Sequence, residues 1–232
     1  MVVGHGITLS ESCLTRNDWI CWEYVRTRSD ELVEATVAHV TLAVVAVVVA
    51  CLTAVPLALL ARRQPALRQP IEGTAAIIYT IPSLALFAVL VPFTGLSAVT
   101  VVIGLVLYAQ TILIRALLVG LAAVPPDVRD AAVGMGFGPA RLLLTVEAPL
   151  ATPTIMAGLR VAAVSTVALT TVGAIIGHGG LGNLIYAGLR SVFRAEVLTA
   201  SVLCVVLAVL ADLALVGLQR LLTPWRRTVG VS

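Results

Sequence analysis

The stretch DAAVGMGFGPARLLLTVEAP, from Asp130 to Pro149, lies between two long apolar segments and differs in character from both. It is amphipathic and rich in glycine, and its closing proline opens the next apolar run. The residues that define its spacing are Asp130, Ala131, Ala132, Gly136, Val146, Ala148 and Pro149. Small alanines and a glycine let a short helix turn sharply and bring its backbone close to a partner. Asp130 suits the first turn of such a helix, where a negative charge is favourable.

The composition indicates a membrane protein. Hydrophobic residues make up 59% of the 232 residues and charged residues only 12%, whereas soluble domains are about 25% charged. A spanning helix needs roughly 20 apolar residues, so a chain of this length holds about five or six spans and no second large soluble domain. We therefore expect an all-α, polytopic membrane protein.

Five apolar runs follow a polar N-terminal segment, residues 1–31. The runs cover about 33–60, 71–93, 97–123, 151–176 and 196–222. The N-terminal segment has no apolar core followed by a small-residue cleavage site, so we expect no cleaved signal peptide. A sixth span would require run 71–93 to split at Pro82, but each half would have only about 11 residues, short of the roughly 17 needed to cross.

The arginines of the short loops indicate the orientation, because cytoplasmic loops carry an excess of positive charge. The loops and tail expected in the cytoplasm contain Arg62, Arg63, Arg68, Arg129, Arg141, Arg226 and Arg227. The second loop, residues 92–97, has no charge and is expected outside. This pattern predicts an external N-terminus, a cytoplasmic C-terminus and a cytoplasmic Asp130–Pro149 stretch. Arg190 and Arg194, in the external segment 177–195, are an exception.

The spacing of Asp130–Pro149 resembles the EAA loop of ABC importer permeases, the membrane subunits that dock on a cytoplasmic ATPase. Aspartate stands for the usual glutamate at position 130, and Ala148 stands where the family usually carries leucine. The resemblance implies the ABC type I importer permease fold, with a permease domain at 32–224, a coupling loop with a coupling helix at 127–149 and a cytoplasmic tail at 225–232. The ATPase-coupling residues that it implies are Asp130, Ala131, Ala132, Gly136, Val146 and Pro149.

Four further strings resemble the osmoprotectant branch of these permeases, which imports glycine betaine, carnitine, choline or related quaternary amines. They are TIPSLALF at 80–87, VPPDVRDAA at 124–132, AGLR at 157–160 and IGHGGLG at 176–182. The resemblance covers about residues 33–227. It implies a cytoplasmic ABC ATPase dimer, a second permease copy or a paralogue, and a separate extracytoplasmic substrate-binding protein.

ATP hydrolysis is expected on the partner subunit, because the chain contains no Walker A sequence. We accordingly expect no enzymatic activity, catalytic residue, cofactor or metal site in this chain. The net charge of +3 reflects loop arginines next to membrane lipid and does not indicate nucleic-acid binding.

Candidate residues of the translocation path or gate lie in interrupted segments and at intramembrane charges. Pro82 marks either a tolerated kink or backbone that shapes the pathway, since transporters place non-ideal helices where substrate passes. The run 177–182 is not a phosphate loop, because no Lys-Ser/Thr follows it. We expect instead a flexible external turn into a re-entrant half-helix, residues 184–189, for which a gating role is one possibility. The candidates are Tyr79, Pro82, Ser83, Tyr108, Arg160, Gly179, Gly180, Gly182 and Asp212.

Ionisable residues within the spans are Arg115, Arg160 and Asp212, and a charge at mid-span costs at least about 2.5 kcal/mol. Arg160 and Asp212 lie at similar expected depth. Three interpretations remain open for them: a structural ion pair, snorkelling toward the cytoplasmic headgroups, or a pathway role. His39, near the outer end of the first span, is more typical of an interface residue than of a ligand.

Four cysteines and a few aromatic residues complete the expectations. Cys13 and Cys21 can form a disulfide if they are external, whereas the remaining two cysteines fall within spans and suit apolar filling. Trp19, Trp22 and Tyr24 suggest either an amphipathic piece at the outer interface or a disordered extension. The spans offer few aromatic faces, so we expect a weak passage for substrate, with selectivity in the binding protein.

Other functions remain as alternatives. Another small solute, such as an amino acid, would suit the same class of importer. A secondary transporter would be expected to show inverted repeats and paired broken helices. No convincing internal repeat is visible, and an odd number of spans argues against a duplicated half. A structural membrane protein would leave the spacing of Asp130–Pro149 unexplained.

Overall fold

The computed structural model describes residues 12–225, and this part of the chain folds into helices without any strand. The helices are α1 (Trp22–Thr27), α2 (Ser29–Arg63), α3 (Pro65–Thr80), α4 (Ser83–Thr94), α5 (Ala98–Ala122), α6 (Pro126–Gly134), α7 (Pro139–Leu142), α8 (Ala148–Thr170), α9 (Leu181–Ser191) and α10 (Arg194–Leu222). A π-helical turn, Leu143–Glu147, joins α7 to α8, and a 3-10 turn, Thr171–Ile176, follows α8. The expected all-α fold is confirmed. The expected tail arginines, Arg226 and Arg227, lie outside the described residues.

Four segments of the described chain are long and apolar enough to cross a membrane: α2, α5, the continuous helical segment 139–176 and α10. The pair α3 and α4 passes the same test only when taken together, and it is bent by 102°. Counted as one broken span, this pair gives the expected five. The alternative of a sixth span is not favoured, because the two halves have only 16 and 12 residues.

The second expected span is therefore not one continuous helix. Helix α3 ends at Thr80 and α4 begins at Ser83, with Ile81 in an extended conformation between them. Pro82 causes the break, because it has no N–H to donate and disfavours a helical conformation at the residue before it. Pro82 therefore interrupts the span, which is a larger effect than a kink.

Helix α2 packs through its small residues. The buried alanines on it are Ala43, Ala46, Ala50, Ala54, Ala58 and Ala61, which recur every three or four residues and so share one face. Larger side chains, such as Val44, Val48 and Leu52, are exposed on other faces of the helix. Helices in lipid associate through small residues that allow close approach, while large apolar side chains meet the lipid. The alanine face of α2 packs against α5.

Helix α5 lies at the centre of the bundle and contacts α2, α3, α4 and α8. Its contact with α8 is very close at two glycines. A Cβ at Gly158 would lie 2.1 Å from the Cβ of Ala116, and one at Gly120 would lie 3.0 Å from Cγ1 of Ile155. Both glycines are therefore required by space, and they bring the backbones of α5 and α8 together.

Residues 12–28 form an ordered cap over the turn between α9 and α10. The disulfide between Cys13 and Cys21, which the sequence left as a possibility, is present. Within the loop that it closes, the Asn17 side chain accepts a hydrogen bond from the Arg194 amide at 2.9 Å and donates one to the Val192 carbonyl at 2.8 Å. The structure thus differs from the disordered extension that was one alternative for this segment.

The aromatic residues of the cap divide between its inside and its outside. Tyr24 packs edge-on against Phe193 with ring centroids 5.3 Å apart. Burial, together with the nearby carboxylates of Glu196 and Glu31, raises the pKa of Tyr24 to about 12. Trp22 is exposed, as an interface residue would be, but Tyr24 anchors the cap from the inside.

The close approach of α5 and α8 predicts a large difference between two glycine substitutions in spans. Gly158→Val should destabilise the protein by at least about 2 kcal/mol, because overpacking of a tight contact forces the helices apart. Gly217→Val, on α10, is the matched control, since a Cβ there has no neighbour within 4 Å. Thermal unfolding of both purified variants in one detergent measures the difference. Equal melting temperatures of the two variants would contradict the close contact between α5 and α8.

Candidate coupling and translocation site

The stretch expected to couple to an ATPase forms a helix, a turn and a second short helix. After α6, residues 135–138 reverse the chain, and α7 follows. Gly136 has φ +82°, a left-handed conformation that glycine adopts without strain. A Cβ at Gly136 would meet no atom within 4 Å, so the conformation of the turn, and not space within this chain, requires glycine there.

Asp130 does not occupy the first turn of its helix, and that expectation was wrong. Helix α6 begins at Pro126, so Asp127 is the acidic residue of the first turn. Proline at the first helical position starts the helix earlier, because its fixed φ suits that position and its missing N–H is not needed there. Asp130 and Ala131 are exposed, whereas Ala132 is buried.

The outward surface of this segment is partly apolar. Val133 is 57% exposed and Met135 is 70% exposed. Val146 and Pro149, the other two residues expected in coupling, are half-buried where the segment enters α8. They flank Glu147, a residue that sequence reasoning missed.

Glu147 is 1% exposed and carries a carboxylate between two arginines. Arg62, at the end of α2, donates from Nη1 to Oε2 at 2.7 Å and from Nη2 to Oε1 at 2.5 Å. Arg129, on α6, donates from Nε to Oε1 at 2.8 Å and also binds the carbonyl of Leu121. We call these three side chains, Arg62, Arg129 and Glu147, the carboxylate clamp.

The carboxylate clamp connects residues 127–149, which we call the coupling segment, to the spans α2 and α8. The paired, charge-assisted bonds from Arg62 fix both the position and the orientation of the carboxylate. The π-helical turn ends at Glu147 and lies just before Pro149, whose ring would clash with a carbonyl of a regular α-helix. A sequence signal existed, since Glu147 is the one acidic residue between Asp130 and Glu196, but it lies just outside the apolar run.

Arg160 and Asp212 form a paired contact between α8 and α10. Arg160 Nε lies 2.7 Å from Oδ1 of Asp212, and its Nη2 lies 2.8 Å from Oδ2. Of the three interpretations left open, the ion pair is the one that the geometry shows. Both side chains are about one-third exposed and line a cavity of about 600 Å³ between the two helices, so pairing is compatible with a place on the pathway.

Tyr79 and Tyr108 meet edge-to-face with ring centroids 5.8 Å apart. The Tyr108 hydroxyl donates to the carbonyl of Ile81, at the break between α3 and α4. The bond satisfies a carbonyl next to the interruption that Pro82 creates, while Pro82 itself is exposed and Ser83 is half-buried. Tyr79 is half exposed and lines a second cavity of about 480 Å³, which also contains Arg115.

The glycine run forms a tightly packed junction and differs from the flexible turn that we expected. Gly179, Gly180 and Gly182 are all buried. A Cβ on Gly180 would lie 2.6 Å from Cα of His39, and one on Gly182 would lie 2.3 Å from the Thr171 carbonyl oxygen. The half-helix α9 also begins earlier than expected, at Leu181.

His39 is fully buried, so the expectation of an interface residue was wrong. Its Nδ1 lies 3.2 Å from the carbonyl oxygen of Gly179 and its Nε2 lies 3.0 Å from that of Val167. The reason is that α2 begins at Ser29, which places His39 almost three turns inside the helix, where α8 and the glycine run surround it. The histidine joins three elements at this end of the bundle.

The expected site residues thus fall into separate groups. The coupling residues share one segment, which also contains Arg129 and Glu147 of the carboxylate clamp. The Arg160–Asp212 pair and Tyr79 line two different cavities, and the buried glycines of 179–182 form a third group against α2. Within residues 12–225, the candidate path residues are thus spread over separate places in the bundle.

Comparison with known proteins identifies the family of this chain. Residues 46–228 match the family described as binding-protein-dependent transport system inner membrane component. The chain is 33% identical over 202 residues to the choline transport system permease protein OpuBB of Bacillus subtilis (strain 168), covering 87% of this chain and 93% of that protein. It is 32% identical to the carnitine transport permease protein OpuCB of Listeria monocytogenes, covering 80% of this chain and 85% of that protein.

Solved structures share the fold. The permease of the MetNI methionine ABC transporter, in an inward-facing conformation, superposes with a TM-score of 0.77 at 21% identity, covering 85% of this chain and 98% of that one. A chain of an amino acid ABC transporter crystallised with histidines gives a TM-score of 0.72 at 16% identity, covering 87% of this chain and 98% of that one. At these identities the likeness is evidence for the fold alone.

The carboxylate clamp predicts that Glu147→Ala destabilises the protein by about 3 kcal/mol, because the change leaves two partly buried arginines without their counter-charge. Glu72→Ala is the matched control, since Glu72 forms only a long 3.6 Å pair with the exposed Arg68 on α3, and its loss should cost less than about 1 kcal/mol. Unfolding of the two purified variants in detergent gives the comparison. A Glu147 variant as stable as the control would remove the clamp from this account.

Proposed function

Because this chain belongs to the family of binding-protein-dependent transport system inner membrane components, we propose that it is the permease subunit of an ATP-driven importer of quaternary ammonium osmoprotectants. Glycine betaine, carnitine and choline represent this class. The similarity to choline and carnitine permeases over most of both chains supports the class of substrate. The observation that carries the proposed mechanism is the coupling segment, with its exposed apolar turn and its buried attachment to the spans.

An ATPase subunit would dock on the outward surface of α6 and the turn at Gly136. The exposed side chains of Val133 and Met135 offer apolar contact there, and Asp130 offers a negative charge. A displacement of this surface is transmitted through Arg129 to the carboxylate of Glu147, and from there to α2 and α8. The carboxylate clamp is thus the mechanical link between docking and the spans.

The partners in this proposal are a dimer of cytoplasmic ATPases, a second permease and an extracytoplasmic binding protein. ATP hydrolysis belongs to the ATPase subunits, since the sequence of this chain has no phosphate-binding loop. The second permease is another copy of this chain or a paralogue. The binding protein supplies most of the selectivity and delivers substrate at the end of the bundle near the cap.

We further propose that the coupling segment faces the cytoplasm and the N-terminal cap faces outside. Support comes from the arginines at the coupling end, Arg62, Arg63, Arg129 and Arg141, because positive loops stay in the cytoplasm. The disulfide between Cys13 and Cys21 is at the other end, and disulfides persist in oxidising compartments. We accordingly propose three parts of the chain: residues 1–31 outside, residues 32–224 as the permease domain, and residues 225–232 as the cytoplasmic tail.

Docking predicts that Met135→Glu separates the permease from its ATPase. The substitution places a charge on an exposed side chain, so it should not disturb folding, but it opposes apolar contact with a partner. ATPase that co-purifies with the permease should fall at least about tenfold, equivalent to roughly 1.4 kcal/mol. Gln64→Glu, an exposed change in the neighbouring loop on the same side, should retain the ATPase. Equal recovery of ATPase with both variants would exclude the proposed docking surface.

Orientation is tested by labelling single cysteines in intact cells with a reagent that does not cross membranes. The background carries Cys51→Ala and Cys204→Ala, the two free cysteines of the described chain. Leu96→Cys, in the uncharged loop before α5, should react in intact cells. Ala140→Cys, on α7, should react only after the membrane is opened. Reaction at position 140 in intact cells would reverse the proposed orientation.

A further inference from the structure

Arg115 is an intramembrane charge that the described part of the chain leaves without a counter-charge. It lies on α5, seven residues before the helix ends at Ala122, and is thus about 10 Å inside that end. Within residues 12–225 its guanidinium takes part in no ion pair or hydrogen bond. Arg160, by contrast, is neutralised by Asp212. An unpaired charge in a span is costly, so a function for Arg115 is the first hypothesis to test.

The surroundings of Arg115 suit a polar ligand. The cavity of about 480 Å³ lies between α3, α5 and α8, and its volume falls within the range of small-molecule sites. Its wall contains Tyr79, Thr111 and Thr154 together with apolar side chains of α5. The guanidinium always carries its charge and only donates hydrogen bonds, so it requires an anionic or strongly accepting partner.

The positive group and the aromatic group lie toward opposite ends of this cavity. Tyr108 and Arg115 are seven residues apart on α5, which places them on one face of the helix about two turns, or 10 Å, apart. Tyr79 packs against Tyr108 and therefore lies toward that end. Tyr79 is 48% exposed, so one part of its ring is free to meet a ligand.

We propose that this cavity is a transient substrate site for zwitterions, in which Arg115 binds a carboxylate and the face of Tyr79 receives the quaternary ammonium. A guanidinium binds a carboxylate through two parallel hydrogen bonds. An aromatic face attracts a quaternary ammonium within about 6 Å of its centre. The inference rests on the proposed function and narrows it to carboxylate-bearing substrates of the glycine betaine and carnitine type.

The same site discriminates against a quaternary amine without a carboxylate. Choline carries a hydroxyl in place of the carboxylate, so it would leave the guanidinium unpaired and meet its positive charge. Discrimination then comes from a repulsive element as well as from an attractive one. One aromatic face, where a tight cage would use several, keeps the site weak, and weak sites release their substrate quickly.

The test is binding of radiolabelled glycine betaine and of choline to the purified permease–ATPase complex in lipid nanodiscs, without the binding protein. The wild-type complex should bind glycine betaine with a Kd near millimolar and choline at least about tenfold more weakly. Arg115→Gln should weaken glycine betaine about tenfold and leave choline unchanged or tighter. Tyr79→Leu should weaken both ligands. Arg63→Gln, an exposed arginine at the end of α2, is the control and should change neither.

Arg115→Lys keeps the charge and loses the planar guanidinium, so it should retain part of the preference for glycine betaine over choline. This variant replaces Arg115→Gln in the test if the glutamine variant fails to assemble. Equal binding of glycine betaine and choline by the wild-type complex would overturn this inference and leave the proposed function in place. The inference would also be overturned if Arg115→Gln changed the Kd of both ligands equally or changed neither. That result is expected of an arginine that only snorkels to the headgroups. Failure of every quaternary amine to bind would also overturn the inference alone, because the proposed function places most of the selectivity in the binding protein, which this assay omits.

Discussion

The buried carboxylate of Glu147 is the interaction on which the arrangement of the coupling segment depends. A carboxylate removed from water is stable only if positive groups and hydrogen bonds surround it. Arg62 and Arg129 provide both, and they come from the end of α2 and from α6. The same contact therefore fixes the angle of α6, the position of the end of α2 and the entry of the chain into α8. A movement of α6 cannot leave the other two helices unaffected while the contact persists.

The opposite end of the bundle is fixed by close packing instead of charge. Gly180 and Gly182 allow the glycine run to lie directly on α2 and on the 3-10 turn, and His39 bonds across the junction. Between the two ends, α3 and α4 break at Pro82, and two cavities contain the intramembrane charges of the described chain. A broken span between two anchored ends is typical of transporters, which place discontinuous helices at their substrate sites.

Sequence patterns predicted those features that depend on local chemistry. Apolar runs predicted about five spans and the all-α class. The spacing of Asp130–Pro149 predicted a coupling helix before the next span, but not its division into α6 and α7 by the turn at Gly136. The sequence also indicated that Cys13 and Cys21, eight residues apart, can form a disulfide. Pro82 indicated an irregularity but not a bend of 102°, because the angle depends on how α4 packs against α5.

The features that sequence could not predict join residues that are distant along the chain. Arg62 and Glu147 are separated by 85 positions, and His39 and Gly179 by 140. No local pattern indicates which arginine meets a given carboxylate, or that a histidine near the start of a span faces the interior. Asp130 was misplaced for a local reason, since the two prolines before it start the helix earlier than the motif alone suggested.

The central claim, that this chain moves substrate only when an ATPase drives it, is tested most directly by uptake of radiolabelled glycine betaine into proteoliposomes. The complete complex with its ATPase and binding protein should accumulate glycine betaine against its gradient when ATP is supplied, and the permease alone should not transport it. Uptake by the permease alone, independent of ATP, would contradict the account and identify a secondary transporter or channel.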